Sequence, residues 1–188
     1  MKLSKIADIS SGLVLARKKA LTNKGFDYEV LTLKSLNENG YIEDDFLDNF
    51  ISEEKIKEQY LTKEGDIVVR LSTPNTAVYI EKEQEGIIIP SLFIIIRIHS
   101  SSVISKFLQI YFNSEKCKRQ LAADTIGSVL SIVKTSSFKE LDVPKYSIEQ
   151  QKNIINLNEL IVKEKKLLNQ LLNEKEKYHK AIMSKMFN

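Results

Sequence analysis

Apolar and polar positions divide the chain into a punctuated body and an unpunctuated tail. After Pro144 the stretch "SIEQQKNIINLNELIVKEKKLLNQLLNEKEKYHKAIMSKMF" contains no glycine or proline, and it opens with Ser147 followed three residues later by Gln150. That spacing predicts a capping box at the start of one long helix. Ile154, Leu157, Ile161, Leu168, Leu171, Tyr178 and Ile182 recur at spacings of three and four, and Leu160, Leu167 and Leu172 widen the stripe. Glu164 and Lys175 interrupt it, so we expect a short, partner-dependent bundle and not a perfect coiled coil. A stripe of this length has to be covered. The expected cover is a second copy, in a twofold dimer through antiparallel tail helices.

In the body, "KLSKIADIS" reads as a short helix and "SGLVLARKKALTNKGFD" as a long loop carrying consecutive basic residues. "YEVLTLKSL" alternates with period two. "GDIVVRL" and "TAVYIEK" form a strand pair, and "GIIIPSLFIIIRI" supplies two apolar runs split at Pro90. "VISKFLQIYFNSEKCKRQLAA" has the pattern of one amphipathic helix. "TIGSVLSIVKTSSFKELDVP" reads as a Gly-Ser loop followed by short extended pieces. The chain is therefore expected to be α+β, a strand-rich body over residues 1–146 followed by one long C-terminal helix over 147–188.

Composition adds limits. The chain has 188 residues, 43% hydrophobic and 28% charged, with no apolar run near the length that spans a bilayer. No secretory signal is visible at the N-terminus, and a single cysteine, Cys117, excludes an internal disulfide framework. A cytoplasmic, non-membrane protein is expected. The net charge is +3, and residues 1–147 hold 20 basic and 20 acidic side chains. Any binding of nucleic acid must then rest on local clusters.

A search for catalytic chemistry finds little. His99 and His179 lie far apart in sequence, no metal-ligand spacing is present, and neither common glycine-rich nucleotide loop occurs. No cofactor is expected. The acidic run "NENGYIEDDFLDNFISEEKIKE" has the residue types of a metal-dependent nuclease, and equally those of a solvated helix and loop face. Cys117, between Lys116 and Lys118, has the flanks of a low-pKa thiol and equally those of an incidental helix cysteine. What remains is three polar loops: one with Arg17, Lys18, Lys19 and Lys24, a crest over residues 70–76, and "DTIGSVLSIVKTSS". Arg and Lys reach phosphates or guanine, Asn pairs with adenine, and hydroxyls serve either role.

With these pieces in order, "KLSKIADISSG", "LTKEGDIVVRLS", "IGSVLSIVKTSSFKELDVP" and the junction "VPKYSIEQQ" leading to a long helix, the chain resembles the specificity subunit of type I restriction-modification systems. Such subunits carry two target-recognition domains and two long helices, so the resemblance implies a half subunit. It implies double-stranded DNA as ligand, a non-catalytic role, and two partners, the modification (methyltransferase) subunit and the restriction subunit. By loop position it implies DNA contacts from Arg17, Lys18, Lys19, Ser72, Thr73, Asn75, Thr76, Ser128 and Lys134. Arg70 has the alternative of pairing across the sheet, Gly127 that of a special backbone angle, and Asn75 that of a turn residue after Pro74. The competing reading from another class is an adaptor that docks through its helix and binds no DNA.

Overall fold

The computed structural model describes residues 1–20, 25–123 and 132–187. In chain order its elements are β1 (Ala7–Ser11), β2 (Phe26–Val30), β3 (Asp48–Ser52), β4 (Ile67–Arg70), β5 (Ala77–Tyr79), β6 (Phe93–Ile98), α1 (Ser105–Asn113), α2 (Glu115–Ala123), α3 (Thr135–Glu140) and α4 (Ile148–Met186). Short 3-10 turns link several of them. The central sheet is antiparallel with the order β1-β6-β4-β5, and β2 and β3 form a separate hairpin.

Both faces of the central sheet are covered, which is why β4 and β6 are apolar without alternation. Ile67, Val69, Ile94 and Ile96 point to one face, where Phe107, Leu108 and Phe112 of α1 and Phe138 of α3 cover them. Val68, Val78, Phe93 and Ile95 point to the other, beneath Leu31, Leu36, Ile42, Ile80, Ile87 and Ile89. A third cluster joins the hairpin to the sheet through Leu13, Val30, Phe50, Ile56 and Ile88. Arg97 closes the rim of the sheet, its guanidinium donating to both Asp66 carboxylate oxygens at 3.0 Å and to the Leu61 carbonyl at 3.0 Å.

The β4–β5 pair and the tail helix form as their sequence predicts. Ser147 Oγ accepts from the Gln150 N–H at 3.2 Å, and Gln150 Oε1 accepts from the Ser147 N–H at 2.9 Å. The 39-residue helix is about 58 Å long at ~1.5 Å per residue. Its first turns are built into the body. Gln151 is buried, accepting from the Ile104 N–H and donating to the carbonyls of Ser102 and Tyr146, and Ile155 is buried beside α1. Beyond that joint the helix still meets the body through polar contacts: Glu159 pairs with Lys106, Lys165 reaches Asn39, and the Lys166 ammonium lies 3.9 Å over the Tyr41 ring.

Several elements depart from the sequence-based expectation. "KLSKIADIS" is a 3-10 turn followed by β1, because Ala7–Ser11 pairs with β6. The alternation in "YEVLTLKSL" ends at Val30, where Ser35 and Thr32 exchange hydrogen bonds in a tight turn. "GIII" is no regular strand. Ile88 and Ile89 are fully buried but linked only through isolated bridges and single hydrogen bonds. The expected single helix is broken at Ser114, whose hydroxyl accepts from the Cys117 N–H at 3.3 Å and so caps α2. "TSSFKE" is helical and not extended, since α3 seats Phe138 in the core. The acidic run forms a turn and β3 and contains no α-helix.

Candidate functional site

The sheet order assembles one end of the body from distant segments. β1 and β4 finish there, and β5 and β6 begin there. Past the last regular pairs the backbone continues as a ragged ladder. Gly12 N–H donates to the Phe93 carbonyl at 3.1 Å, Ser91 N–H to Leu13 at 2.8 Å, Leu71 N–H to Leu92 at 3.0 Å and Val133 N–H to Leu71 at 3.0 Å, while Ser72 bridges Ile132. Segments 12–14, 90–92, 71–72 and 132–133 therefore lie side by side as a lip. Gly12 is required at the crossing, because a Cβ there would collide with the carbonyls of Ile89 and Pro90.

The segments of the lip carry basic side chains and no carboxylates of their own, with Glu54 standing against Lys18 at the edge. The described residues of these segments, 11–20, 70–76, 90–93 and 132–135, include Arg17, Lys18, Lys19, Arg70 and Lys134 and no Asp or Glu. The even balance of residues 1–147 hides this local excess of basic residues, the kind of cluster that suits an anionic polymer. Arg17, Lys19 and Lys134 are exposed, and among the described residues their side chains make no hydrogen bond or ion pair. Lys18 is half-buried and donates to Glu54, whose carboxyl is held below its ordinary pKa first by that hydrogen bond and then by the Lys18 charge. Of the expected contact residues, the structure brings Arg17, Lys18, Ser72, Thr73 and Lys134 to this end, while Lys19 bridges Ser52 of the hairpin and lines a separate cleft with Asp48. Ser128, with Lys24 and Gly127, lies outside the described residues.

Within the crest, two expected contacts are corrected. Thr73 is exposed, and Ser72 is half-buried and receives a 2.7 Å hydrogen bond from Arg70 Nε. Asn75 is only 7% exposed and Thr76 only 2%. The Asn75 amide turns inward, donating to the Leu71 carbonyl at 2.8 Å and to the Arg70 carbonyl at 3.2 Å. Its φ of 54° is the left-handed conformation that Asn tolerates better than most residues. Asn75 thus shapes the crest from inside and presents no edge to a ligand. Arg70, read alternatively as pairing across the sheet, does so as the last residue of β4, opposite Phe93 of β6, and its guanidinium braces Ser72.

Sequence reading missed a second basic pair. Lys55 and Lys57 line, with Arg17 and Lys18, a cleft of about 380 Å³ that also includes Glu54, Val14 and Tyr60. The signal was present in "EKIKE", where buried Ile56 leaves its two basic neighbours outward. Exposed Val14, Leu92 and Ile132 add apolar contact surface to the lip. The other candidate chemistry does not gather. Cys117 is fully buried, and burial pushes its thiol pKa up to about 12, the opposite of a reactive thiolate. Among the described residues no group of three or more His, Cys, Asp or Glu could hold a metal ion, and no helix is long and apolar enough to cross a membrane.

The tail stripe divides in two. Ile154, expected at a partner interface, is partly buried against the chain's own core and is corrected to an internal contact. Leu157, Ile161, Leu168, Leu171, Tyr178 and Ile182 are all exposed.

A strand-rich body with this lip, followed by a long helix joined to it at Ile155, has counterparts among solved structures. The chain shares the fold of HsdS. The HsdS subunit from Thermoanaerobacter tengcongensis aligns over 97% of this chain with a TM-score of 0.71 at 15% identity. A chain from a structure concerned with complex assembly and conformational transition of the type I R-M system aligns over 94%, with a TM-score of 0.64 at 13% identity. The present chain spans 46% and 41% of those two chains, somewhat less than half of each. No family model matches the sequence, and comparison with curated proteins gives no match. The HsdS likeness is thus one of fold, and this chain contributes one strand-rich body and one long helix to it.

Proposed function

We propose that this chain is a half specificity subunit of a type I restriction-modification system: a DNA-reading module with a target-recognition domain over residues 1–146 and a spacer and dimerisation helix over 147–188. The observation that carries this reading is the lip with its excess of basic side chains, on a fold shared with HsdS. Arg17 and Lys134, with Lys55 and Lys57 in the cleft, suit phosphates, and exposed Thr73 with half-buried Ser72 suits base edges. Asn75 and Thr76 support the crest from within.

In this reading the chain selects sequence and leaves methyl transfer and cleavage to the modification and restriction subunits. Two copies joined through α4 present two identical reading ends, so the target is an inverted repeat of two half-sites around unread bases. The cations of one lip are few, so a partner that embraces the duplex is needed for tight binding. The test is a gel shift on a randomised duplex library at several salt concentrations, with the modification subunit present. Selection of an inverted repeat supports the proposal. Absence of sequence-selective binding under those conditions refutes it and favours a helix-docking adaptor.

A further inference from the structure

The two charges that interrupt the tail stripe occupy related positions. From Ile154 to Lys185 the stripe advances by alternating steps of three and four residues, and this order is palindromic about the midpoint between Leu168 and Leu171. Turned end for end about that point, Leu168 meets Leu171, Ile161 meets Tyr178, Leu157 meets Ile182, and Glu164 meets Lys175. Two charges that look like defects in a single helix become one ion pair, repeated on each side of a twofold axis.

The structure leaves this face available. Gln151, Ile155 and Lys166 turn toward the body, Ile154 packs on the core and Ile161 borders a cleft against it, and at ~100° per residue Leu157 and the stripe from Leu168 to Ile182 lie on the opposite side of the helix. Leu157, Leu168 and Leu171 are each more than half exposed. Among the described residues neither the Glu164 nor the Lys175 side chain has a hydrogen bond or ion pair.

We propose that a second copy of this chain docks antiparallel on α4 in this one register, and that Glu164 of each copy pairs with Lys175 of the other to fix orientation and register. The proposal rests on the dimer of the preceding section and specifies its geometry. A parallel pair would set Glu164 against Glu164 and Lys175 against Lys175. An antiparallel pair displaced by one heptad would set both charges against aliphatic side chains. Each alternative leaves charges repelled or desolvated without a partner, the device by which a polar seam residue specifies coiled-coil pairing. In the favoured register the two buried Ile155 joints stand about 44 Å apart along the axis at ~1.5 Å per residue. That separation exceeds the ~34–36 Å of one duplex turn and lets two bodies sit side by side on DNA.

The experiment uses the full chain without DNA, by sedimentation equilibrium, with circular dichroism to verify helix content. Glu164→Lys and Lys175→Glu should each weaken the dimer roughly tenfold or more, since two attractions become two repulsions. The double variant, or an equimolar mixture of the two single variants, should recover wild-type affinity. In a parallel dimer the single variants would merely exchange like pairs for like pairs. Chains carrying Leu157→Cys and Ile182→Cys should cross-link with each other when mixed and not with themselves, buried Cys117 being silent. A wild-type dimer indifferent to both charge reversals, or self-linking through Leu157→Cys, overturns the register alone. A wild-type monomer overturns the dimer as well. Neither result bears on the reading lip, which the gel shift judges separately.

Discussion

Replacing Asn75 by alanine tests whether this residue would itself contact a base, as its type suggested, or holds the shape of the crest. Its amide donates to two carbonyls, at 2.8 Å to Leu71 and 3.2 Å to Arg70, and it is 7% exposed. Each bond contributes a net ~1 kcal/mol. The Leu71 carbonyl keeps the 3.0 Å bond from the Val133 N–H, so the loss there is at the lower end of the range. At a φ of 54°, alanine adds the cost of a Cβ in left-handed backbone, about 1 kcal/mol. Asn75→Ala should therefore destabilise the body by about 3 kcal/mol. Asn75→Gly, which loses the same bonds without the strain, should cost about 2 kcal/mol. At roughly 2–4 °C per kcal/mol for a chain of this size, the melting temperature falls by about 6–12 °C and 4–8 °C respectively. Thermal melts followed by circular dichroism measure this, paired with half-site selectivity measured well below the transition. Selectivity should persist in both variants. A variant that melts within a degree or so of wild type yet loses preference at one base position would show that the amide faces the bases, and the reasoning would fail.

Lys134→Ala should weaken binding to all sequences alike and lower the slope of log K against log salt by about 0.9, as one phosphate contact is lost; binding isotherms at four salt concentrations measure it. Arg97→Leu strands the carboxylate of Asp66, whose side chain is only 5% exposed, and should cost about 3 kcal/mol in urea denaturation. In the Asp66→Asn, Arg97→Leu double variant the cost should fall well short of the sum of the two single costs. With its pKa pushed up to about 12, the Cys117 thiol stays protonated through mildly alkaline pH. Iodoacetamide at pH 8.5 should label the folded chain at least about a hundredfold more slowly than the urea-unfolded chain, and equal rates would contradict the burial.

What the sequence determined by itself was local. The Ser147–Gln150 capping box and the breaker-free run after it specify α4 through contacts three and four residues apart, and the β4–crest–β5 pair closes across a short turn. The stripe and its two charges are likewise carried by spacing alone, so the self-complementary order of α4 is readable before any fold is known. Elements stabilised at long range were not legible. Ala7–Ser11 has a pattern compatible with a short helix and is a strand because β6, almost ninety residues later, supplies its hydrogen-bond partners. "TSSFKE" has weak local preference and is helical because Phe138 fills the core. The direction of the Asn75 side chain depended on which carbonyls lay within reach, and no residue type announces that. The cationic lip is the clearest case. Its charges come from segments that are far apart in the chain and average to neutrality with their neighbours, and the strand order β1-β6-β4-β5 brings those segments to one end, where Glu54 is paired with one of the cations. Charge is a property of residues, but which charges stand together, including Glu54 against Lys18, is a matter of placement, and the tertiary structure decides placement.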